Sequence, residues 1–291
     1  MAKKKSKKHA GMDPEVRRRI IIASVGVLGG LALTAGGWVG LDRLDAHAAE
    51  IATPPSVEVS FSWPALDGAA VGDDSATWMP ASERDRLRAI ALNAARGGGV
   101  LDPAALREVC SALDATGWYA APPKVRRRGD GTIHIAGVWR LPAAVVRSGD
   151  RERLVSWEGI ALPLEYRAGA SGVHVLTNPS RPAPALSGEA WQGDDVAAGL
   201  ALLDLLNDHD DIMAQVVGVD LGAGRRLSII TDEDTRIVWG AAPGVFRPGE
   251  QPTDIKLTRL QGMLEGTGRI DGGMGIVEIF GPNVLVVRRE R

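Results

Sequence analysis

Lys124-Val125-Arg126-Arg127-Arg128-Gly129-Asp130-Gly131-Thr132-Ile133-His134-Ile135-Ala136-Gly137-Val138 is the stretch on which the reading of the fold turns. Asp130-Gly131 supplies the residues that a tight hairpin turn demands, and the positions on either side carry strand-forming side chains, with Ile133 and Ile135 on one face. Upstream, Gly117 closes a helix whose apolar side is marked by Leu106, Val109, Cys110 and Leu113, and Asp102 followed by Pro103 suits its start. Gly97, Gly98 and Gly99 separate it from an earlier helix, with Ser82 as the expected N-cap and Leu87, Ile90, Ala91 and Ala94 at helical spacing. Before that, Val57, Val59 and Phe61 alternate with Glu58, Ser60 and Ser62 at the two-residue period of a half-buried strand. The order β-α-α-β-β predicts two crossing helices on one face of a three-stranded sheet, a unit occupying residues 57–146. The run Pro142-Ala143-Ala144-Val145-Val146 leads out of it.

Downstream, residues 147–291 predict a mainly antiparallel β-sheet with flanking helices. Leu154-Val155-Ser156 and Ile160 to Leu162 read as a hairpin around Glu158-Gly159. Val196, Leu200, Leu203 and Leu206 form one face of a helix whose first turn holds Asp194 and Asp195, where negative charge is favourable. Residues 216–221, 227–230 and 236–239 read as a meander, and Leu257, Leu260 and Leu264 as the stripe of a last helix. Two strands, 276–280 and 284–287, finish the chain across Gly281-Pro282-Asn283.

At the other end, residues 20–41, beginning with Ile20 and ending with Leu41, are 22 uncharged positions, long enough as a helix to cross a hydrocarbon core of roughly 30 Å. Lys3, Lys4, Lys5, Lys7, Lys8, Arg17, Arg18 and Arg19 all precede this stretch, so the positive-inside rule keeps residues 1–19 cytoplasmic and exports the chain beyond the linker at 42–56. A single-pass inner-membrane protein with periplasmic domains is the expectation. Ala46-His47-Ala48 also offers a small-x-small site, which leaves a cleaved signal peptide open. The formal net charge of −2 hides an acidic body behind a basic tail, which argues against a nucleic-acid partner. A single cysteine excludes an intramolecular disulfide.

The chain laid out in this way resembles the FtsQ/DivIB division proteins, which have a short cytoplasmic tail, a membrane helix, a POTRA domain and a C-terminal β-domain. In the POTRA-like part, Trp118, Val125-Arg126-Arg127, Thr132-Ile133-His134-Ile135 and Pro142-Ala143 carry the likeness. In the FtsQ-like β-domain it rests on Leu154-Val155 with Glu158-Gly159, Leu186 with Gly188, Gly240, Lys256-Leu257 with Leu260, and Val277-Glu278-Ile279. The resemblance implies a non-enzymatic scaffold for the septum, binding small coiled-coil partners of the FtsB/FtsL type. Strand addition at a sheet edge is the physical route, because an edge exposes unpaired N–H and C=O groups. Val284, Leu285, Val286 and Val287 are the expected partner-binding positions, although an apolar run of this kind also suits an ordinary buried strand. A POTRA-bearing component of envelope transport or assembly is the alternative.

The residue types that carry chemistry point nowhere else. His9, His47, His134, His174 and His209 lack the spacing with which two imidazoles meet one metal. Asp204, Asp208, Asp210 and Asp211 surround His209 without a Gly-containing calcium loop and read as a solvated helix end. No nucleophile elbow is present, and Cys110 falls on the apolar stripe of a helix. Lys124, Arg126, Arg127 and Arg128 form a basic stripe that suits either a solvated face or contact with anionic headgroups. The expectation is therefore of no catalytic residue, no cofactor, no metal and no small-molecule substrate.

Overall fold

The computed structural model describes residues 57–65, 77–96, 103–222 and 226–287. Residues 57–291 form one compact unit. Its first elements are strand β1 (Val59–Phe61), helices α1 (Ala81–Ala95) and α2 (Pro103–Asp114), and strands β2 (Lys124–Arg127) and β3 (Ile133–Ala136). These strands form a sheet in the order β1-β3-β2, with β1 parallel and β2 antiparallel to β3. Leu87, Ala91 and Ala95 of α1, and Ala105, Val109 and Leu113 of α2, are buried at intervals of four residues, so each helix turns one stripe inward. Helix α1 starts one residue before Ser82, which is not its N-cap. Pro80 holds that position, its carbonyl accepting the N–H groups of Glu83 and Arg84. Glu83 turns inward instead, accepting the indole N–H of the fully buried Trp118 at 2.7 Å.

The rest of the chain builds a nine-stranded sheet. Its elements are β4 (Pro142–Ser148), β5 (Arg151–Ser156), β6 (Ala161–Arg167), β7 (Val175–Thr177), α3 (Asp194–Asn207), α4 (Asp210–Met213), β8 (Val216–Asp220), β9 (Leu227–Thr231), β10 (Arg236–Gly240), α5 (Thr253–Thr267), β11 (Ile276–Glu278) and β12 (Leu285–Val287). Strand order across the sheet is β12-β11-β10-β9-β8-β7-β4-β5-β6. The fold class is α+β with a large mixed sheet, in which five of the eight strand pairings are antiparallel and three are parallel. Strand β4 runs parallel to β7, β7 to β8, and β10 to β11. Parallel neighbours need a long crossover, and α3 with α4 carries the chain from β7 to β8, while α5 carries it from β10 to β11. The helices read from the sequence as flanks are these crossovers.

The expected transmembrane helix finds no support in the structure. Among the described residues no helix is long and apolar enough to cross a membrane. The stretch from Ile20 to Leu41 lies outside the described residues, as do Gly97 to Gly99, Asp102, His9 and His47.

One face of the large sheet packs Ile229, Ile237, Trp239, Val219 and Val277 against Leu200, Leu203 and Leu206 of α3 and Leu260 of α5. On the other face Val145, Leu154, Leu162 and Val175 join the core of the small sheet, in one cluster with Trp118, Tyr119, Ile133 and Ile135. Gly117 and Gly188 mark a close backbone approach between these parts. A Cβ on Gly117 would stand 2.5 Å from the Gly188 nitrogen, and its φ of +84° already favours glycine.

Candidate partner-binding edge

Strand β12 ends the large sheet, pairing antiparallel with β11 through Ile276↔Val287, Val277↔Val286 and Glu278↔Leu285. Among the described residues its other side pairs with no strand. Val277 is fully buried, so Val286 opposite it continues the core face, while Leu285 lies on the other face beside Glu278. Even so, Val284, Leu285 and Val286 remain 40%, 56% and 43% exposed. An incoming strand would therefore find backbone donors and acceptors flanked by apolar side chains on both faces.

Helix α5 holds this edge in place. The Arg259 guanidinium donates to the carbonyls of Ile279 and Gly281, both at 2.6 Å, and of Pro282 at 2.7 Å, gripping the turn between β11 and β12. Gln251 N–H donates to the Phe280 carbonyl at 2.7 Å, tying the turn to the start of the helix as well. The helix is in turn fixed by a buried ion pair. Lys256 Nζ donates to Glu250 Oε2 at 3.0 Å, and the same oxygen accepts the Ala241 N–H at 2.8 Å. Lys256 also lies 5.4 Å from the centre of the Trp239 ring, a cation-π distance. Gly240 is required between them: with φ at +94°, any Cβ there would collide with the Glu250 carboxylate.

The opposite edge is built differently. The Ala161 N–H donates to the Glu189 carbonyl and the Gly188 N–H to the Ala161 carbonyl, so a loop already covers the start of β6. Pro163 within β6 has no N–H to offer, and Glu165 lies 3.7 Å from Arg151 and 3.8 Å from Arg153. Covering, proline and charge are the ordinary devices that keep an edge from pairing. Strand β12, from Leu285 to Val287, carries none of them among the described residues.

Other residues singled out in the sequence take structural places. The Cys110 thiol donates to the Pro123 carbonyl at 3.2 Å, and burial, with Asp114 nearby, raises its pKa. His174 is pushed down by burial, and His209 precedes α4 without capping it through its side chain. Among the described residues no group of three His, Cys, Asp or Glu side chains is arranged to hold a metal, the aspartates around His209 included. The basic stripe is split by the pleat: Lys124 and Arg126 face outward, while Arg127 points to the other side of β2. What the sequence reading missed is the support of the edge. In the sequence Lys256 stands out only as part of a Lys-Leu motif, and Arg259 does not stand out at all.

Neither a family model nor a curated protein matches the chain, so the fold and the edge stand on their own geometry.

Proposed function

We propose that this chain is a non-enzymatic scaffold of the FtsQ/DivIB type, recruiting small coiled-coil division proteins of the FtsB/FtsL type by strand addition at β12. The observation that carries the reading is the contrast between the two ends of the large sheet: β6 is covered and charged, whereas β12 is apolar and open. Order and spacing of the motifs from Trp118 to Ile279 support the family side of the reading.

The energetics suit a reversible partner. Each backbone hydrogen bond formed by an added strand contributes about 1 kcal/mol net. Completing the burial of half-exposed Leu285 and Val286 adds about 1 kcal/mol each. A three-residue edge alone therefore binds weakly, and a useful affinity requires the partner to contact neighbouring surface too.

A photocrosslinking side chain placed at Leu285 in the full chain tests the proposal in cells. The expected product is a covalent adduct with a small coiled-coil division protein, reduced about tenfold by Val286→Lys, which puts a charge where the partner strand packs. Imaging of a fluorescent fusion should show enrichment at the septum. An adduct yield indifferent to Val286→Lys, together with even distribution over the envelope, would sink the reading.

A further inference from the structure

The outer face of the three-stranded sheet, away from α1 and α2, carries a constellation that the β12 edge does not use. Register places Ser60 of β1, His134 of β3 and Arg126 of β2 side by side in one row. Arg128, the residue after β2, donates from Nη2 to His134 Nδ1 at 3.1 Å. Ser60 Oγ lies 3.0 Å from the same nitrogen, and Ser62 Oγ lies 3.4 Å from Nε2. A ring nitrogen that accepts from a guanidinium carries no proton, so the neutral ring holds its proton on Nε2, toward Ser62. Arg126 and Lys124 are exposed and have no hydrogen bond or ion pair among the described residues.

The charged groups around the ring are few. From β2 and its end come Lys124, Arg126 and Arg128, and from the β1 side comes Glu58, exposed one residue before the strand. From the turn comes Asp130, whose carboxylate is already engaged by the Thr132 N–H at 2.9 Å. Two guanidinium groups, an ammonium, two hydroxyls and an imidazole thus share one open face, with positive charge in excess. This is the donor set for a tetrahedral oxyanion, since guanidinium forks match its oxygens in pairs and hydroxyls fill the remaining lone pairs.

We propose that this face binds a phosphate or sulfate ester group between Arg126, Arg128 and His134, and that binding takes up a proton on the imidazole. In the structure Arg128 is parked on His134 Nδ1. Protonation of that nitrogen turns an acceptor into a donor, which releases the guanidinium and lets ring and Arg128 both point at the anion. Burial and the Arg128 charge hold the His134 pKa below its ordinary value, which favours the neutral ring that the Arg128 contact requires. A bound dianion supplies the compensating charge and raises it again. Affinity therefore increases as the pH falls through the titration of His134. The ester group could belong to a lipid headgroup or to a soluble ligand, and the chemistry on the protein is the same.

Calorimetric titration of the full chain with sulfate, whose charge does not change between about pH 5 and 8, tests the site directly. Binding should be about fivefold tighter at the acid end, and Arg126→Gln or Arg128→Gln should weaken it about fivefold at either end. His134→Gln should abolish the pH dependence. A second readout needs no variant: the His134 ring resonance of the native protein should titrate at a higher pH in sulfate than in chloride. Vesicles doped with an anionic phospholipid distinguish the sources. Vesicle binding that sulfate displaces assigns a headgroup, whereas pyrophosphate binding without vesicle binding assigns a soluble ester. Affinities that ignore both arginine substitutions, or a His134 titration unmoved by sulfate, overturn the proposal.

Discussion

Lys256 and Glu250 are each almost wholly withdrawn from water, with side chains 3% and 5% exposed. A pair in that position is held by geometry, because desolvation of two charges cancels most of their attraction. Removing one partner is the costly step. Lys256→Met leaves the buried Glu250 carboxylate with the Ala241 N–H and the more distant Arg247, 3.7 Å from its other oxygen, and should destabilise the protein by about 3 kcal/mol in a denaturant titration. Adding Glu250→Gln, which keeps an acceptor for Ala241 but removes the charge, should recover most of that loss. A second residue sets the acid limit. Burial works to raise the Asp271 carboxyl, yet Arg269, the Gly273 N–H and Thr235 outweigh it and lower the pKa to about 2. A folded value below the unfolded one means that the stabilisation is complete above about pH 4 and lost as pH falls toward 2. The loss amounts to about 2 kcal/mol, and Asp271→Asn should flatten the stability profile across that window.

Arg259 acts on an element, since its three carbonyl acceptors all lie in the segment joining β11 to β12. Without it the turn loses charge-assisted bonds worth about 1.5–3 kcal/mol in all, and the end strand, only three residues long, has little else to hold it. Arg259→Ala should therefore accelerate amide exchange at residues 285–287 while exchange in β8 and β9 stays slow. Equal acceleration throughout the sheet would show that the clamp is a global support and not a local one. Element direction is also where the sequence is least legible. The Asp130-Gly131 turn is readable because its residues and its geometry are local: Gly131 takes φ +89° and Asp130 accepts the Thr132 N–H. Whether β10 runs parallel or antiparallel to β11 leaves no trace in a two-residue period, and only the intervening α5 hints at it. Strand β7, with three residues in a loop-rich stretch, carries too little pattern to be recognised. Residues 284–287 fit an edge or a buried strand equally well in sequence, and the difference lies in neighbours far along the chain.

At the scale of the molecule, the two sheets share a hydrophobic cluster. Val145, Leu154, Leu162 and Val175 of the large sheet lie in it with Trp118, Ile133 and Ile135 of the small part. Unfolding either part alone would expose the apolar side chains of both, at a cost of about 1.5–3 kcal/mol for each large residue laid bare. Residues 57–287 should consequently melt in a single cooperative transition, with calorimetric and van't Hoff enthalpies that agree. The backbone contact between Gly117 and Gly188 gives a direct probe of that coupling. Gly117→Ala places a methyl group against the Gly188 nitrogen and forces an alanine to φ +84°, a combined penalty of about 2 kcal/mol or more. If the parts are coupled, the whole transition should move down by about 4–8 °C without splitting. Two resolved transitions, with only one of them sensitive to the substitution, would mean that the shared cluster is a contact between independent domains.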